Sequence, residues 1–274
     1  MKLEGKIAII TGGGSGIGRA TSLRLAREGV SIVVADWNEA GANETVLLVE
    51  QAGGKAAAIK VDVTKSGDLA SMLAFAERMY GGFDILYNNA GVTTGMPRYP
   101  DSPEENWRRT VEIDLCAVIE GTRQAIPMLK ARGGGVIIAT ASLAGLFGFQ
   151  QDPVYAAAKH GVVGLTRALI NLKAEMNIRV NCVCPAVVRT PLVMSGIGAL
   201  QGEAREAAEK QMNAMPMLAA EEIAEAVYGL IRDDDAAGVV MGITLGDTRR
   251  VVDPPITLPV TSGMPGARQH PRGQ

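Results

Sequence analysis

The chain of 274 residues is short of aromatics, with two Trp, four Phe and five Tyr, and short of metal-binding residue types, with three Cys and two His. Beside 33 glycines, so few aromatics point away from a base-stacking surface and toward a tightly wound α/β layer. Cys116, Cys182 and Cys184 show no metal-like spacing, and Cys182-Val183-Cys184 lies in an apolar run that reads as strand, so all three are expected to be small buried hydrophobes. His160 and His270 are far apart and no third ligand candidate follows a pattern, so no dedicated metal site is expected. An excess of either charge is also missing: 27 Lys plus Arg face 29 Asp plus Glu, which removes the electrostatic footprint of a nucleic-acid or anionic-membrane partner. No apolar run approaches the ~18–20 residues of a spanning helix. Met1-Lys2-Leu3-Glu4-Gly5 lacks the apolar segment of a signal peptide, so a cytoplasmic protein is expected. The chain is 47% hydrophobic and 20% charged, which suits one large folded α/β domain.

Short β-branched runs alternate with stretches of helical period almost throughout, the pattern of successive βαβ units and hence of a doubly wound parallel sheet. Strands are predicted at Lys6–Ile10, Ser31–Ala35, Ala56–Val61, Asp84–Tyr87, Val136–Ala139, Arg179–Val183 and Val239–Thr244, seven in all, each apolar on both faces. Helices are predicted at Gly16–Glu28, Glu39–Ala52, Ser66–Tyr80, Pro103–Ala131, Pro153–Met176 and Ala220–Arg232. Residues 1–246 are read as the catalytic domain. The insertion 185–218, with Met194, Ile197, Leu200, Met212, Met215 and Met217, reads as an amphipathic substrate lid. Residues 247–274 form a tail with Pro254, Pro255, Pro259, Pro265 and Pro271, excluded from a regular helix or an inner strand and expected at an oligomer interface or over a pocket.

Thr11-Gly12-Gly13-Gly14-Ser15-Gly16-Ile17-Gly18 follows the first strand and opens the first helix, where backbone N–H groups and the positive helix end face the place a pyrophosphate would occupy. Asp36 ends the second strand, 18 residues past Gly18, close to the spacing expected of a carboxylate that binds adenosine ribose hydroxyls. Tyr155 and Lys159 stand four residues apart on one helical face, where the ammonium can stabilise a phenolate and draw its pKa toward neutrality for general acid/base work. Ser142 lies just past the fifth strand, at the edge where open α/β sheets bind ligands, and either caps a turn or bonds a substrate carbonyl.

With Asp62-Val63, Asn88-Asn89-Ala90-Gly91, Ser142 thirteen residues before Tyr155, and Pro185 through Thr190, these motifs occur in the order and spacing of the short-chain dehydrogenase/reductase family, which the chain resembles from about residue 3 to 246. The resemblance implies a Rossmann-type domain with a seven-stranded parallel sheet, a nicotinamide dinucleotide, alcohol or ketone substrates, and a homodimer or homotetramer. It assigns Gly12, Ser15, Gly16, Ile17 and Gly18 to the pyrophosphate, Asp36 to the adenosine ribose, and Asp62 with Val63 to the adenine. It sets Asn89, Ala90 and Gly91 beside the nicotinamide ribose, and Pro185, Val188 and Thr190 beside the carboxamide. Tyr155 becomes the acid/base, Lys159 the residue that binds ribose hydroxyls and tunes the tyrosine, and Ser142 the orienter of the substrate oxygen.

Three departures stand out. The family's fourth catalytic position, usually Asn, is Asp114; the usual Pro-Gly after the sixth strand is Pro185-Ala186; and Leu245-Gly246-Asp247 leads into the tail. NAD is expected over NADP, because a 2′-phosphate would meet the Asp36 carboxylate and the next residues, Trp37, Asn38 and Glu39, bring no cation. Arg19 is near in sequence, with its direction open. Leu143, Leu146, Phe147 and Phe149 form an apolar set that lines a pocket for an apolar alcohol or ketone or else packs in the core. The leading expectation is an NAD-dependent secondary alcohol dehydrogenase; the alternative is a non-catalytic NAD(H)-sensing protein on the same fold.

Overall fold

A computed structural model describes residues 1–195, 202–246 and 248–253. The apolar runs form β1 (Ile7–Thr11), β2 (Ser31–Asp36), β3 (Lys55–Lys60), β4 (Ile85–Asn88), β5 (Gly135–Thr140), β6 (Ile178–Pro185) and β7 (Val240–Thr244), all parallel. An eighth strand, β8 (Thr248–Val251), pairs antiparallel with β7, so the sheet has eight strands in the order β3-β2-β1-β4-β5-β6-β7-β8 where the sequence predicts seven. At the opposite edge β3 is half-buried with exposed terminal lysines and not apolar on both faces, because only β2 pairs with it.

Between the strands lie α1 (Gly16–Ala26), α2 (Glu39–Gln51), α3 (Ser66–Tyr80), α4 (Glu104–Val111), α5 (Ala117–Ala131), α6 (Pro153–Ala168), α7 (Leu172–Met176), α8 (Pro191–Ser195), α9 (Gly202–Ala214) and α10 (Ala220–Arg232). Alternate strand residues feed opposite layers. Ala8, Ile10, Ile32 and Val34 pack against Leu25 of α1, Val49 of α2 and Ile223 and Val227 of α10, while Ile7, Ile9, Val33 and Leu86 pack against Leu69 and Met72 of α3 and Leu129 of α5. Each fully buried Leu or Ile of this kind contributes ~1.5–3 kcal/mol relative to an exposed one. Among the described residues no helix is long and apolar enough to cross a membrane.

The predicted helix 103–131 is interrupted. Residues Glu112–Cys116 form a π turn that joins α4 to α5, a one-residue insertion that turns Asp114 fully inward and leaves Cys116 exposed, against its expected burial. Cys182 and Cys184 are buried in β6 as expected. The two ends of the insertion after β6 are tied together, where Leu218 N–H bonds Val187 O and Arg189 N–H bonds Leu218 O, each at 2.9 Å. Of the lid residues, Met194 and Met217 are half-buried and Met215 is exposed, while Ile197, Leu200 and the Met212 side chain lie outside the described residues, as do the tail prolines.

Residues beyond 246 thus add a strand to the body. Val252 packs against the β5–β6–α6 cluster, and Arg167 of α6 donates to the carbonyls of Val252 and Asp253 at 3.1 and 3.2 Å. Truncation after Asp247 is expected to lower Tm by several degrees relative to truncation after Asp253, at roughly 2–4 °C per kcal/mol lost, and to uncover the β7 edge. Thermal melts and molar mass of the two truncations check this. Equal Tm values would mean that β8 contributes nothing to the fold.

Candidate active site

The glycine turn is built by steric necessity. A Cβ on Gly18 would stand 2.2 Å from the Gly12 carbonyl oxygen, and Gly12 itself has φ +63° with Ala90 pressed against it. The turn presents the N-terminus of α1, whose first turn contains no acidic residue and whose N-cap, Ser15, is exposed and makes no capping bond. The free N–H groups and positive end of the helix are therefore not neutralised by the chain. Thr190 lies across Gly16, its methyl 3.1 Å from where a Cβ would be, so the segment after β6 closes over the turn. Ile17 packs toward the α1–α10 core, and Pro185 ends β6 buried. Asp36 is 8% exposed, with its carboxylate accepting Gly14 N–H at 2.8 Å and Asn38 N–H at 2.9 Å. Arg19 points at this corner but is engaged: it donates to the Gly14 carbonyl, to Glu44 at 2.6 Å and to Thr45 Oγ1 at 3.0 Å.

The β4 end is stitched to the turn by Thr11, whose Oγ1 accepts the N–H groups of Asn89 and Ala90 at 2.9 and 3.1 Å. The Asn89 amide donates to the Thr11 and Gly12 carbonyls and its oxygen accepts the Thr140 hydroxyl, so this side chain acts as a frame that joins β1, β4 and β5. Val63 and Ala90 line one narrow crevice with Thr11 and Val118. Asp62 is turned into its own loop: the Thr64 hydroxyl and amide hold its carboxyl below the ordinary range. Val188 is buried in the core, and its carbonyl accepts the Thr190 hydroxyl at 3.4 Å.

Tyr155, Lys159 and Ser142 meet at the carboxyl edge of β5. Lys159 is 3% exposed, its ammonium is 5.4 Å from the Tyr155 ring centre, and it donates to the Thr140 carbonyl at 2.9 Å. Asp114 is fully buried, with one oxygen 3.1 Å from the Lys159 nitrogen. That contact is an ion pair without hydrogen-bond alignment. Its other oxygen accepts Val92 N–H at 2.8 Å. Burial alone would depress the Lys159 pKa, but the groups around it, Asp114 first and then Tyr155, together outweigh it and the ammonium is held above its usual value. Gly91 completes the corner, since a Cβ there would lie 3.5 Å from both Lys159 and Asp114. Contrary to the expectation of a depressed phenol, Tyr155 is pushed above its ordinary value: burial dominates, the Lys159 charge opposes it, Asp114 adds to it, and the Ser142 side chain pulls it down. Ser142 also caps the following turn by accepting Ala144 N–H at 3.1 Å, so both roles foreseen for it are compatible.

A family model described as "short chain dehydrogenase" matches residues 6–199. A cyclohexanol dehydrogenase from Acinetobacter is 39% identical over 234 residues, 85% of this chain and 90% of that protein. The chain belongs to the short-chain dehydrogenase family. Among solved structures, levodione reductase aligns with a TM-score of 0.80 at 30% identity, covering 88% of this chain and 96% of its own. A 3-ketoacyl-(acyl-carrier-protein) reductase from Brucella melitensis, solved with NADH, aligns with a TM-score of 0.77 at 29% identity over 89% of this chain and 99% of its own. The family consists of oxidoreductases that use nicotinamide cofactors.

Within this short-chain dehydrogenase, sequence reasoning missed two contributors, Thr140 and Asp152, and named Thr11 only as the first residue of the glycine motif. Thr140 sits at a strand end, where the edge rule places ligand-binding residues, and that was its only signal. Asp152 is the N-cap of α6, which Pro153 at the first helical position announces. Of the foreseen pocket walls, Leu143 and Leu146 pack against the core cluster, whereas Phe147 is 53% exposed beside the site.

Proposed function

We propose that this protein is an NAD-dependent dehydrogenase that interconverts an alicyclic secondary alcohol and its ketone, with Tyr155 as general acid/base. The observation that carries the reading is the meeting of Tyr155, Lys159 and Ser142 at the edge of the sheet that also presents the uncharged glycine turn and Asp36. These residues fit a nicotinamide dinucleotide. Gly12, Ser15, Gly16, Ile17 and Gly18 would hold its pyrophosphate, Asp36 its adenosine ribose, and Lys159, Ala90, Gly91 and the main chain of Pro185 to Thr190 its nicotinamide half. When bound, it supplies the hydride acceptor or donor. Ser142 orients the substrate oxygen, Tyr155 takes or gives the hydroxyl proton, and the Lys159 ammonium stabilises the phenolate. The cyclohexanol dehydrogenase relative and the exposed apolar side chains at this edge, Met96, Tyr99, Phe147 and Val187, support an apolar ring as substrate. Assembly as a homodimer or homotetramer belongs to the same proposal.

Cofactor choice provides the test. The Asp36 carboxylate would face a 2′-phosphate with like charge, and Arg19 is already held by Glu44 and the Gly14 carbonyl. With cyclohexanol as probe, kcat/KM is expected to favour NAD over NADP by at least about tenfold, or ~1.4 kcal/mol. Equal values would remove the assignment of Asp36. NAD binding without turnover across a panel of secondary alcohols would favour a sensor.

A further inference from the structure

The segment that leaves β4 runs past the Lys159–Asp114 pair at Gly91 and is then gripped twice. Val92 N–H goes to Asp114 at 2.8 Å, and Thr94 N–H goes to Asp152 Oδ2 at 2.9 Å across 58 residues of sequence. Thr94 is 4% exposed and its hydroxyl bonds Thr110 of α4 at 3.2 Å. The other oxygen of Asp152 accepts Tyr155 N–H at 3.1 Å, so one carboxylate caps the helix that carries Tyr155 and holds a separate stretch of chain. Capping needs one acceptor, and Ser or Asn would serve as well as Asp. The second oxygen has no capping purpose. Beyond Thr94 the chain emerges with Met96 and Tyr99, 68% and 58% exposed, in the loop that leaves the carboxyl end of β4, the sheet edge that also carries Ser142.

We infer that Asp152 is a positioning residue that bolts the β4–α4 wall of the substrate cleft to the catalytic helix. The inference rests on Tyr155 being the acid/base. The bolt refers the wall to the backbone of the catalytic residue itself, so that a ring held against Met96 and Tyr99 keeps its hydroxyl in register with the phenol. Hydrogen bonds from N–H to a carboxylate are the stronger kind, and errors of about 1 Å in such register cost on the order of 10² in rate.

Asp152→Ser separates the two duties. Serine caps α6 with its one oxygen and offers nothing to Thr94. Amide hydrogen exchange in the cofactor-free protein is expected to show Thr94 at least about tenfold faster in the variant, with Tyr155 and Tm essentially unchanged. The KM for cyclohexanol should rise at least about fivefold while the KM for NAD stays within about twofold. Unchanged Thr94 exchange overturns the bolt. Faster exchange with an unchanged alcohol KM, or a parallel fall in Tm and NAD affinity, overturns the positioning role. If the wild type turns over no alcohol, the acid/base reading fails by itself, and calorimetric affinity for cyclohexanol in the presence of NAD replaces KM: equal affinity in the two proteins overturns the inference.

Discussion

Replacing Tyr155 by Phe is expected to lower kcat by at least ~10², about 2.7 kcal/mol of transition-state stabilisation, while NAD affinity stays within about twofold. The substitution removes one hydroxyl from a half-buried ring and leaves its volume in place, so the packing of α6 is preserved. The bond from Tyr155 N–H to Asp152 is made by the backbone and survives. The glycine turn, Asp36 and the Thr11 clasp are formed by other segments. What disappears is the group that holds the substrate proton. No other titratable hydroxyl at this corner can substitute, since Ser142 has no ionisation in the working range and the Tyr87 hydroxyl is fully buried against Thr140 with its pKa pushed far up by burial. The limb of the pH profile that reports the base should vanish with the rate. Steady-state turnover together with NAD titration decides the matter, and near-normal turnover would remove Tyr155 from the chemistry.

The features of this site that were legible in the sequence are those written in short-range spacing. The glycine turn, with Asp36 a fixed distance beyond it, follows from how one βαβ unit closes, and Tyr155 with Lys159 follows from the rise of a helix. The strands were legible because a sheet covered on both sides requires unbroken apolar runs, as in Ile7–Thr11 and Ile178–Pro185. The π turn left no mark, since Glu112-Ile113-Asp114-Leu115 continues a helical pattern and only burial of Asp114 against Lys159 betrays the inserted residue. Strand β8 was hidden because Thr248-Arg249-Arg250-Val251 lacks apolar alternation and borders a proline-rich stretch, and an edge strand needs neither. The grip of Asp152 on Thr94 spans 58 residues, beyond any local rule. The direction of the Tyr155 shift was misread for the same reason: Lys159 is visible at four residues' distance, whereas desolvation and the Asp114 charge arise only when α6, the π turn and β5 come together.

The second large effect concerns Asp114, the carboxylate at the position where the family resemblance leads one to expect Asn. Asp114→Asn is expected to move the base limb of kcat/KM in the oxidation direction to lower pH, with activity retained. Three charged groups face the Tyr155 phenol: Lys159 from its own helix, Asp152 from the N-cap, and Asp114 from the π turn; the neutral Ser142 side chain completes its surroundings. Burial raises the phenol first of all, Lys159 works against it, and Asp114 partly cancels that ammonium. Removal of the negative charge leaves the ammonium less opposed, so the phenolate forms at lower pH. The fold should tolerate this because Lys159 keeps the Thr140 carbonyl and the Asn oxygen can still accept Val92 N–H. Lys159→Met is the contrasting case. It strands Asp114, whose pKa burial already pushes up, as a lone carboxyl at zero exposure, and breaking a buried pair in this way costs ~3–5 kcal/mol. Tm should therefore fall further in Lys159→Met than in Asp114→Asn, and only the latter should remain active. Paired melts and pH profiles of the two variants measure both. An unshifted limb in Asp114→Asn would mean that its charge does not reach the phenol, and loss of most activity would make the carboxylate itself indispensable to the proton's path.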